Sequence, residues 1–368
     1  MTSIQRVGVT GGRAAAAARR PAMRCAAALT KFKGFAVQQP HEKFQLFEYE
    51  PKPLGPKDIE IKVTHNGLCH TDIHMRDNDW GATTYPLIPG HEVVGVVAAK
   101  GAEVAGFKEG DRVGVGWIKD SCRCCMQCMR GNENLCEAGY TGLIVGANNF
   151  GGFQPLMRTP ADFAYKIPDG MGSAEAAPLL CAGITVYAPL RKFLRHPDMR
   201  VAVLGVGGLG HLGVQFAAAM GAEVTALARQ ADKSKEAKAL RADEFMTTDD
   251  ALAQRKNYFD IILNTASGAV DSSAVLAMLR ADGVLIQCGI PGGGARIDVP
   301  LQDIVFNQKA VAGSVVGGRA DMQEMFNFAA KKGIKPMIEL YKLSDINAAI
   351  DRVASGKARY RVVMETDA

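Results

Sequence analysis

Three short groups of residues carry side chains that bind soft metal ions. They are Cys69-His70-Thr71-Asp72 with His74 close behind, Gly90-His91-Glu92, and Cys181-Ala182-Gly183. Singly each is weak, because a lone cysteine is usually a small buried hydrophobe. Together they offer two thiolates and one imidazole, which is the donor set of a catalytic zinc whose fourth position stays open to substrate or water. Glu92, beside His91, is placed to act as a transient ligand or to support the set from behind. Asp72 is a candidate to orient the His91 imidazole, since a ligating histidine normally donates its other nitrogen to a carboxylate or carbonyl.

A second cluster reads differently. Five of the nine cysteines fall between positions 122 and 136. Cys122, Cys125, Cys128 and Cys136 bring four thiolates together through tight turns, as a closed, tetrahedral structural zinc requires. The odd total and the crowding argue against disulfides, which neighbouring thiols at this spacing would strain. Cys124 is spare and is an alternative ligand to Cys125. Cys25 and Cys288 have no partner in this pattern; Cys288 reads as a buried strand residue.

The third motif is a turn for a nucleotide. Val201–Leu204 reads as a strand, and Gly205, Gly207 and Gly210 follow with GxGxxG spacing before a helical pattern over 209–220. Such glycines permit a tight turn, close approach of backbone to a pyrophosphate, and close helix–strand packing. The next strand, Val224–Leu227, ends in Ala228-Arg229-Gln230 and supplies no acid for a ribose diol. Arg229, with Lys233 beyond it, suits a 2′-phosphate instead, so NADP(H) is favoured over NAD(H). The alternative is that both are solvated surface cations.

These motifs need elements to hold them. Ile59–Val63 alternates, Val93–Ala98 is continuously apolar, and Val113–Val115 follows a turn, so the chain to about residue 180 is expected to be irregular and β-rich. Beyond Arg200 strands alternate with helices. Strands are expected at Phe259–Leu263, Gly283–Gln287 and Val311–Val315, with helices at Lys235–Leu240 and Ser273–Leu279. That rhythm indicates an α/β, doubly wound parallel sheet. From Met322 the pattern is helical, then strand-like at Tyr360–Met364.

Composition narrows the classes. The 368 residues are 48% hydrophobic and 22% charged, as in ordinary globular chains. No stretch approaches the roughly 20 uncharged apolar residues of a membrane span. The net charge of +5 resides in the first 40 residues, which hold seven basic and no acidic groups, leaving 36 basic against 38 acidic beyond them. The body therefore lacks the electrostatic footprint of nucleic-acid binding. Residues 1–28 are rich in Arg and Ala and free of acid, the composition of an organellar transit peptide. A plastid is the expected compartment, with mitochondrion or cytoplasm as alternatives and a disordered extension as the plain reading.

In combination, Gly67-Leu68-Cys69-His70-Thr71-Asp72, Pro89-Gly90-His91-Glu92, the four-cysteine lobe, Leu180-Cys181-Ala182-Gly183-Ile184-Thr185 and Gly205-Val206-Gly207-Gly208-Leu209-Gly210-His211 resemble the zinc-dependent medium-chain alcohol dehydrogenases. Asp79-Trp80-Gly81 and Gly313-Ser314-Val315-Val316-Gly317-Gly318 resemble the cinnamyl-alcohol-dehydrogenase-like branch, which includes NADPH aldehyde reductases. The resemblance runs from about Lys33 to the C-terminus. It implies a split GroES-like catalytic domain over residues 29–187 and 319–368, with a Rossmann NADP-binding domain over 188–318 between its parts. It implies two zinc ions per subunit, one on Cys69, His91 and Cys181 with Glu92 adjacent, and one on the four-cysteine lobe. It further implies Thr71 and His74 as a proton relay, and His70, Thr185, Gly205, Gly207, Gly208, Leu209, Gly210, Arg229, Lys233 and Ser314 as cofactor contacts. Trp80 is the expected pocket residue. Arg241 departs from the pattern where the family often has glycine, and the stretch 148–157 is unusual after its Gly-Gly.

The implied activity is interconversion of primary alcohols and aldehydes with NADP(H), on a small-molecule substrate, by a homodimer with no nucleic-acid or membrane partner. Two rivals are an NAD-linked polyol or secondary-alcohol dehydrogenase and a non-catalytic zinc-binding paralogue. The latter predicts loss of a ligand or relay residue, and all are present.

Overall fold

The computed structural model describes residues 31–366 apart from 267, 269 and 291–295. The Arg/Ala-rich leader and the targeting expectation attached to it lie outside the described residues. Two sheets organise the rest. In the first, Asp58–Leu68 is the central long strand. Ile59, Ile61 and Val63 turn into the core while Glu60 and Lys62 face outward, so the alternation in the sequence is the alternation of the pleat. Its neighbours are Val93–Lys100 on one side and Arg361–Glu365 on the other, all antiparallel to it. Arg112–Val115 and Ala164–Lys166 extend one edge, Ile338–Lys342 forms the other, and Leu156–Pro160 pairs with the first half of Asp58–Leu68. The last strand is thus recruited from the far end of the chain. It pairs Val362 with Leu68, which brings Arg361 alongside Cys69.

The second sheet is wholly parallel. Its spatial order is Glu244–Thr247, Glu223–Ala228, Arg200–Leu204, Phe259–Asn264, Leu279–Gln287 and Ala310–Gly313. In chain order that is 3-2-1-4-5-6, the doubly wound Rossmann arrangement. Phe259–Asn264 is buried along its whole length, Asp260 and Asn264 included, and Ile261, Ile262 and Leu263 supply its apolar run. Ligands bind such sheets beyond the carboxyl ends of the strands, where the order reverses. Here the reversal lies between Arg200–Leu204 and Phe259–Asn264, and the glycine turn begins directly after Leu204.

Helical structure from Ser173 to Phe193 joins the two sheets, and Leu179–Gly183 within it is a π-helical turn. It has the length and hydropathy of a membrane span, yet 78% of its most apolar window is buried inside the fold, as in a core helix. Cys181 sits on the π-helical turn, a distortion that recurs at functional sites.

Several expectations shift. The strand expected over Val311–Val315 ends at Gly313, because the chain turns away at Ser314 and Val316 adopts a left-handed φ of 35°. The following helix starts at Arg319 rather than Met322. Cys288 lies just past its strand and is half-buried rather than within it. Arg241 has a φ of 72°, so the position where the family often has glycine keeps a left-handed backbone here without one.

Candidate metal and nucleotide sites

One buried carboxylate aligns the first cluster. Cys69 ends the central strand and caps the helix His70–Asp77, its backbone N–H donating to Asp72 Oδ2 at 2.9 Å. Asp72 Oδ1 accepts from the Gly90 amide at 2.9 Å and from His91 Nδ1 at 3.0 Å. Asp72 therefore ties the two ligand-bearing segments together and fixes the imidazole with Nε2 facing forward. Gly90 has a φ of 97°, and a Cβ there would lie 2.0 Å from the Asn66 amide nitrogen, so only glycine fits. The donor atoms of Cys69, His91, Glu92 and Cys181 all lie within 4.8 Å of one another, and all four residues are buried.

The charges in this cluster are interdependent. Sharing of the Cys181 proton pulls the Cys69 thiol well below its ordinary range against the cost of burial, and His91 and Arg361 add to the pull. Cys181, as the donor in that pair and itself buried, is pushed well up. Burial opposes charge on His91, but Asp72 and Cys69 outweigh it and raise the imidazole. Burial pushes the Glu92 carboxyl up to about 7, against the attraction of Arg361. Glu92 Oε1 takes a hydrogen bond from Arg361 Nη2, while its Oε2 has no partner.

A soft divalent cation suits these donors. Among the described residues His91 Nε2 is buried with no hydrogen-bond partner, which is costly unless something else satisfies its lone pair. Two thiols and that nitrogen form the Cys2His set of a catalytic zinc, and a carboxylate oxygen of Glu92 lies within 4.8 Å of the same donors. Asp72→Ala should weaken zinc binding at this site about 10–100-fold, the usual cost of losing a partner behind a ligating histidine. Competition with a chromogenic chelator checks this, and wild-type affinity in the variant would contradict the role given to Asp72.

The residues implied as a relay lie on the next turn. Thr71 and His74 are half-buried on His70–Asp77, and His70 is exposed. His74 Nδ1 lies 2.6 Å from Asp79 Oδ2, and its ring packs against Trp80 at 4.9 Å. Among the described residues no hydrogen bond joins Thr71 to His74 directly. Trp80 is partly exposed and stands beside His74. A different tryptophan meets the ligand set: Trp117 packs edge-on against His91, with ring centres 5.2 Å apart, and donates to Tyr140 Oη at 3.1 Å.

In the four-cysteine lobe, Cys122, Cys125, Cys128 and Cys136 converge with their sulfur atoms within 4.8 Å. The turns do this by local hydrogen bonding, Cys125 N–H to Cys122 Sγ at 3.3 Å and Cys128 N–H to Cys125 Sγ at 3.5 Å. The amides of Cys124 and Cys125 hold the Cys122 thiol down at about 6, which favours a thiolate ligand. Cys124 is exposed and is not among the four that converge.

The glycine turn has the shape of a phosphate cradle. Gly205 has a φ of 94°, and a Cβ on Gly210 would lie 2.0 Å from the Gly205 carbonyl oxygen, so both are required by the turn itself. Gly207 is different. A Cβ there would meet no protein atom within 4 Å, so packing does not require glycine, whereas the approach of a pyrophosphate does. No side chain caps the helix Gly210–Ala219 that follows, leaving its positive end available to an anion. Arg229 is exposed at the end of Glu223–Ala228 and makes no hydrogen bond or ion pair among the described residues. Lys233 does not share that freedom. Its Nζ donates to the Val206 carbonyl at 2.6 Å and lies over the Tyr360 ring at 5.3 Å, bracing the turn from outside. Thr185 is buried on the helix after Cys181, and the Ser314 amide donates to Gln287 O at 3.1 Å where the chain leaves the sheet.

Arg361 joins the two sites. It is buried, touches Glu92 at the metal cluster, and its Nη1 lies 3.2 Å from where a Gly208 Cβ would stand in the nucleotide turn. Sequence reasoning missed it, because nothing local marks a basic residue in an apolar terminal strand.

Residues 55–169 match the alcohol dehydrogenase GroES-like domain, and residues 208–331 match the zinc-binding dehydrogenase domain. The chain is 40% identical to the NADP-dependent alcohol dehydrogenase C of Mycobacterium bovis, over 92% of this chain and 98% of that protein. It is 40% identical to the aldehyde reductase AdhA of a Synechocystis species, over 90% of this chain and 98% of that protein. Among solved structures, a cinnamyl alcohol dehydrogenase from Sorghum bicolor superposes with a TM-score of 0.86 at 37% identity, covering 91% of this chain and 97% of that one.

Proposed function

From the premise that this chain belongs to the zinc-binding alcohol dehydrogenases, we infer that it interconverts primary alcohols and aldehydes with NADP(H) in the manner of the cinnamyl-alcohol-dehydrogenase branch. One observation carries this reading. A buried Cys2His set and the glycine turn of a Rossmann sheet share a single arginine, Arg361, so the residues that would hold the metal and the hydride donor are neighbours. When bound, zinc supplies a Lewis acid for the carbonyl oxygen and NADPH supplies the hydride.

The chain's own residues do the rest. Cys69, His91 and Cys181 would hold the metal, and Asp72 keeps His91 in the tautomer that presents Nε2. Glu92, neutralised by Arg361, stands behind the ligands with one oxygen free. The Thr71 hydroxyl gives the proton that the product alcohol needs. His74, oriented by Asp79, stands one turn further along the same helix to resupply that proton. Burial of the ligand residues keeps bulk water from competing for the polarised oxygen. Arg229 would hold the 2′-phosphate, and Gly207 would let the backbone approach the pyrophosphate. Following NADPH and NADH oxidation with a panel of aromatic and aliphatic aldehydes tests the assignment. Turnover of aldehydes with NADPH is expected; turnover confined to ketoses and NADH would favour a polyol dehydrogenase, and none with either would favour a non-catalytic protein.

The expected homodimer has its own support. Ala310–Gly313 is an edge of the parallel sheet, and the adjoining helix Leu301–Asn307 exposes Leu301, Val305 and Phe306 at 77%, 65% and 80%. An unpaired edge beside such an apolar face favours pairing with a second copy. Light scattering is expected to give twice the chain mass of 39.2 kDa, and Phe306→Asp should give the single-chain mass. A wild-type monomer at micromolar concentration would contradict the dimer.

A further inference from the structure

The four-cysteine lobe is in contact with the segment that leaves the nucleotide sheet. Between Cys128 and Cys136 the chain turns through Gly131, and Glu133 is directed inward, with only 1% of its surface exposed. Its carboxylate accepts from the Arg319 backbone N–H at 2.8 Å and from Arg319 Nε at 2.7 Å. The helix Arg319–Lys332 has glycine as its N-cap and no capping side chain of its own, so Glu133 serves as its cap from a distance of 186 residues. Asn134 Nδ2 donates to the Val315 carbonyl at 3.1 Å. The backbones also abut, since a Cβ on Gly318 would fall 1.6 Å from the Gly131 carbonyl oxygen.

What these contacts hold is strained. Val316 is β-branched and has a φ of 35°, a conformation such residues rarely adopt and keep only where their surroundings enforce it. Gly317, next to it, is wedged against Ile184, 2.8 Å from where its Cβ would stand. Val316 and Gly317 line one wall of a narrow cleft whose other wall is Trp117 and Leu180, the neighbours of His91 and Cys181. The segment begins at Ser314, at the carboxyl end of the last parallel strand, where doubly wound sheets bind their nucleotides.

We propose that the four-cysteine lobe is a latch on residues 314–319, with Glu133 as its positioning residue, and that it sets affinity for the nicotinamide cofactor by holding that segment in its strained form. The inference rests on the NADP(H) reading above and deepens it. Without the latch the segment relaxes to ordinary backbone geometry, and cofactor binding must reorder it.

The test uses the full-length, zinc-loaded protein and NADPH itself as the probe, titrated by its fluorescence, with metal content and Tm measured alongside. Glu133→Ala is expected to keep wild-type metal content and to bind NADPH about tenfold more weakly, the cost of one charged contact. Glu133→Gln, which retains an acceptor for the Arg319 amide, should recover most of that loss. Asn134→Ala removes only a half-buried side chain and its hydrogen bond to Val315, and should weaken NADPH binding about threefold, which keeps the proposal testable if Glu133→Ala fails to fold. Variants with lowered Tm and wild-type NADPH affinity overturn the latch and leave the lobe a purely stabilising device. A wild-type protein that binds no NADPH overturns the cofactor reading instead.

Discussion

Arg229→Asp is expected to raise KM for NADPH ten- to a hundredfold while leaving KM for NADH unchanged or lower. Arg229 stands exposed at the carboxyl end of Glu223–Ala228 with no partner among the described residues, so its guanidinium is free to fork onto a 2′-phosphate. A hydrogen bond to a charged group contributes about 1.5–3 kcal/mol, which converts to roughly ten- to a hundredfold in affinity. The aspartate would repel the phosphate and accept from the ribose diol of NADH. Lys233 should substitute for it poorly, because its ammonium is drawn to the Val206 carbonyl and lies over the Tyr360 ring. Lys233→Ala is therefore expected to weaken both cofactors alike through the loosened turn. Kinetics with each cofactor decide the matter. An unchanged ratio of the two KM values in Arg229→Asp would make that arginine a solvated cation and nothing more.

Cys69→Ser and Cys125→Ser should fail in opposite ways. The wild-type chain is expected to carry two zinc ions, one for each quartet of converging donors. Cys69→Ser removes a thiolate from the buried set and should abolish aldehyde turnover, with circular dichroism unchanged and one zinc retained. Cys125→Ser opens the four-cysteine lobe, whose metal contributes directly to folding free energy. Its main effect should be a Tm several degrees lower and an increased tendency to aggregate, with turnover per folded, zinc-loaded molecule reduced far less. Metal analysis, Tm and kcat on the same preparations separate the two outcomes. Equal losses of turnover at unchanged stability would mean that the lobe is not structural.

Much of this site was legible because its chemistry is local in the chain. Cys69 and Asp72 are three residues apart, the four cysteines span a short loop, and the glycine turn lies between one strand and one helix. Period and burial agree in the strands that mattered most: alternation in Ile59–Val63, continuity in Val201–Leu204 and Ile261–Leu263. What escaped was long-range. Arg361 meets Glu92 across 269 residues, and only the antiparallel return of the last strand creates that contact. Glu133 and Arg319 pair across 186 residues. Trp117 carries no motif, and its contact with His91 depends on how the strand Arg112–Val115 ends. Lys233, expected beside a phosphate from its position, also donates to a backbone carbonyl of the turn, a contact that nothing in the sequence marks. The edge strand Glu244–Thr247 is half-buried throughout and so lacks both alternation and a continuous apolar run. Ser314 and Val315 read as strand by composition, yet the latch contacts and the left-handed Val316 redirect the chain.

Zinc removal and return tests the central claim most directly. Aldehyde-dependent NADPH oxidation would be followed in the purified wild-type protein as the metal on Cys69, His91 and Cys181 is stripped with a chelator, and again after zinc is added back. Turnover is expected to fall in proportion to the loss of the zinc on Cys69, His91 and Cys181 and to return with it, while NADPH still binds the stripped protein. Full NADPH-dependent aldehyde reduction by protein holding only the four-cysteine zinc would contradict it.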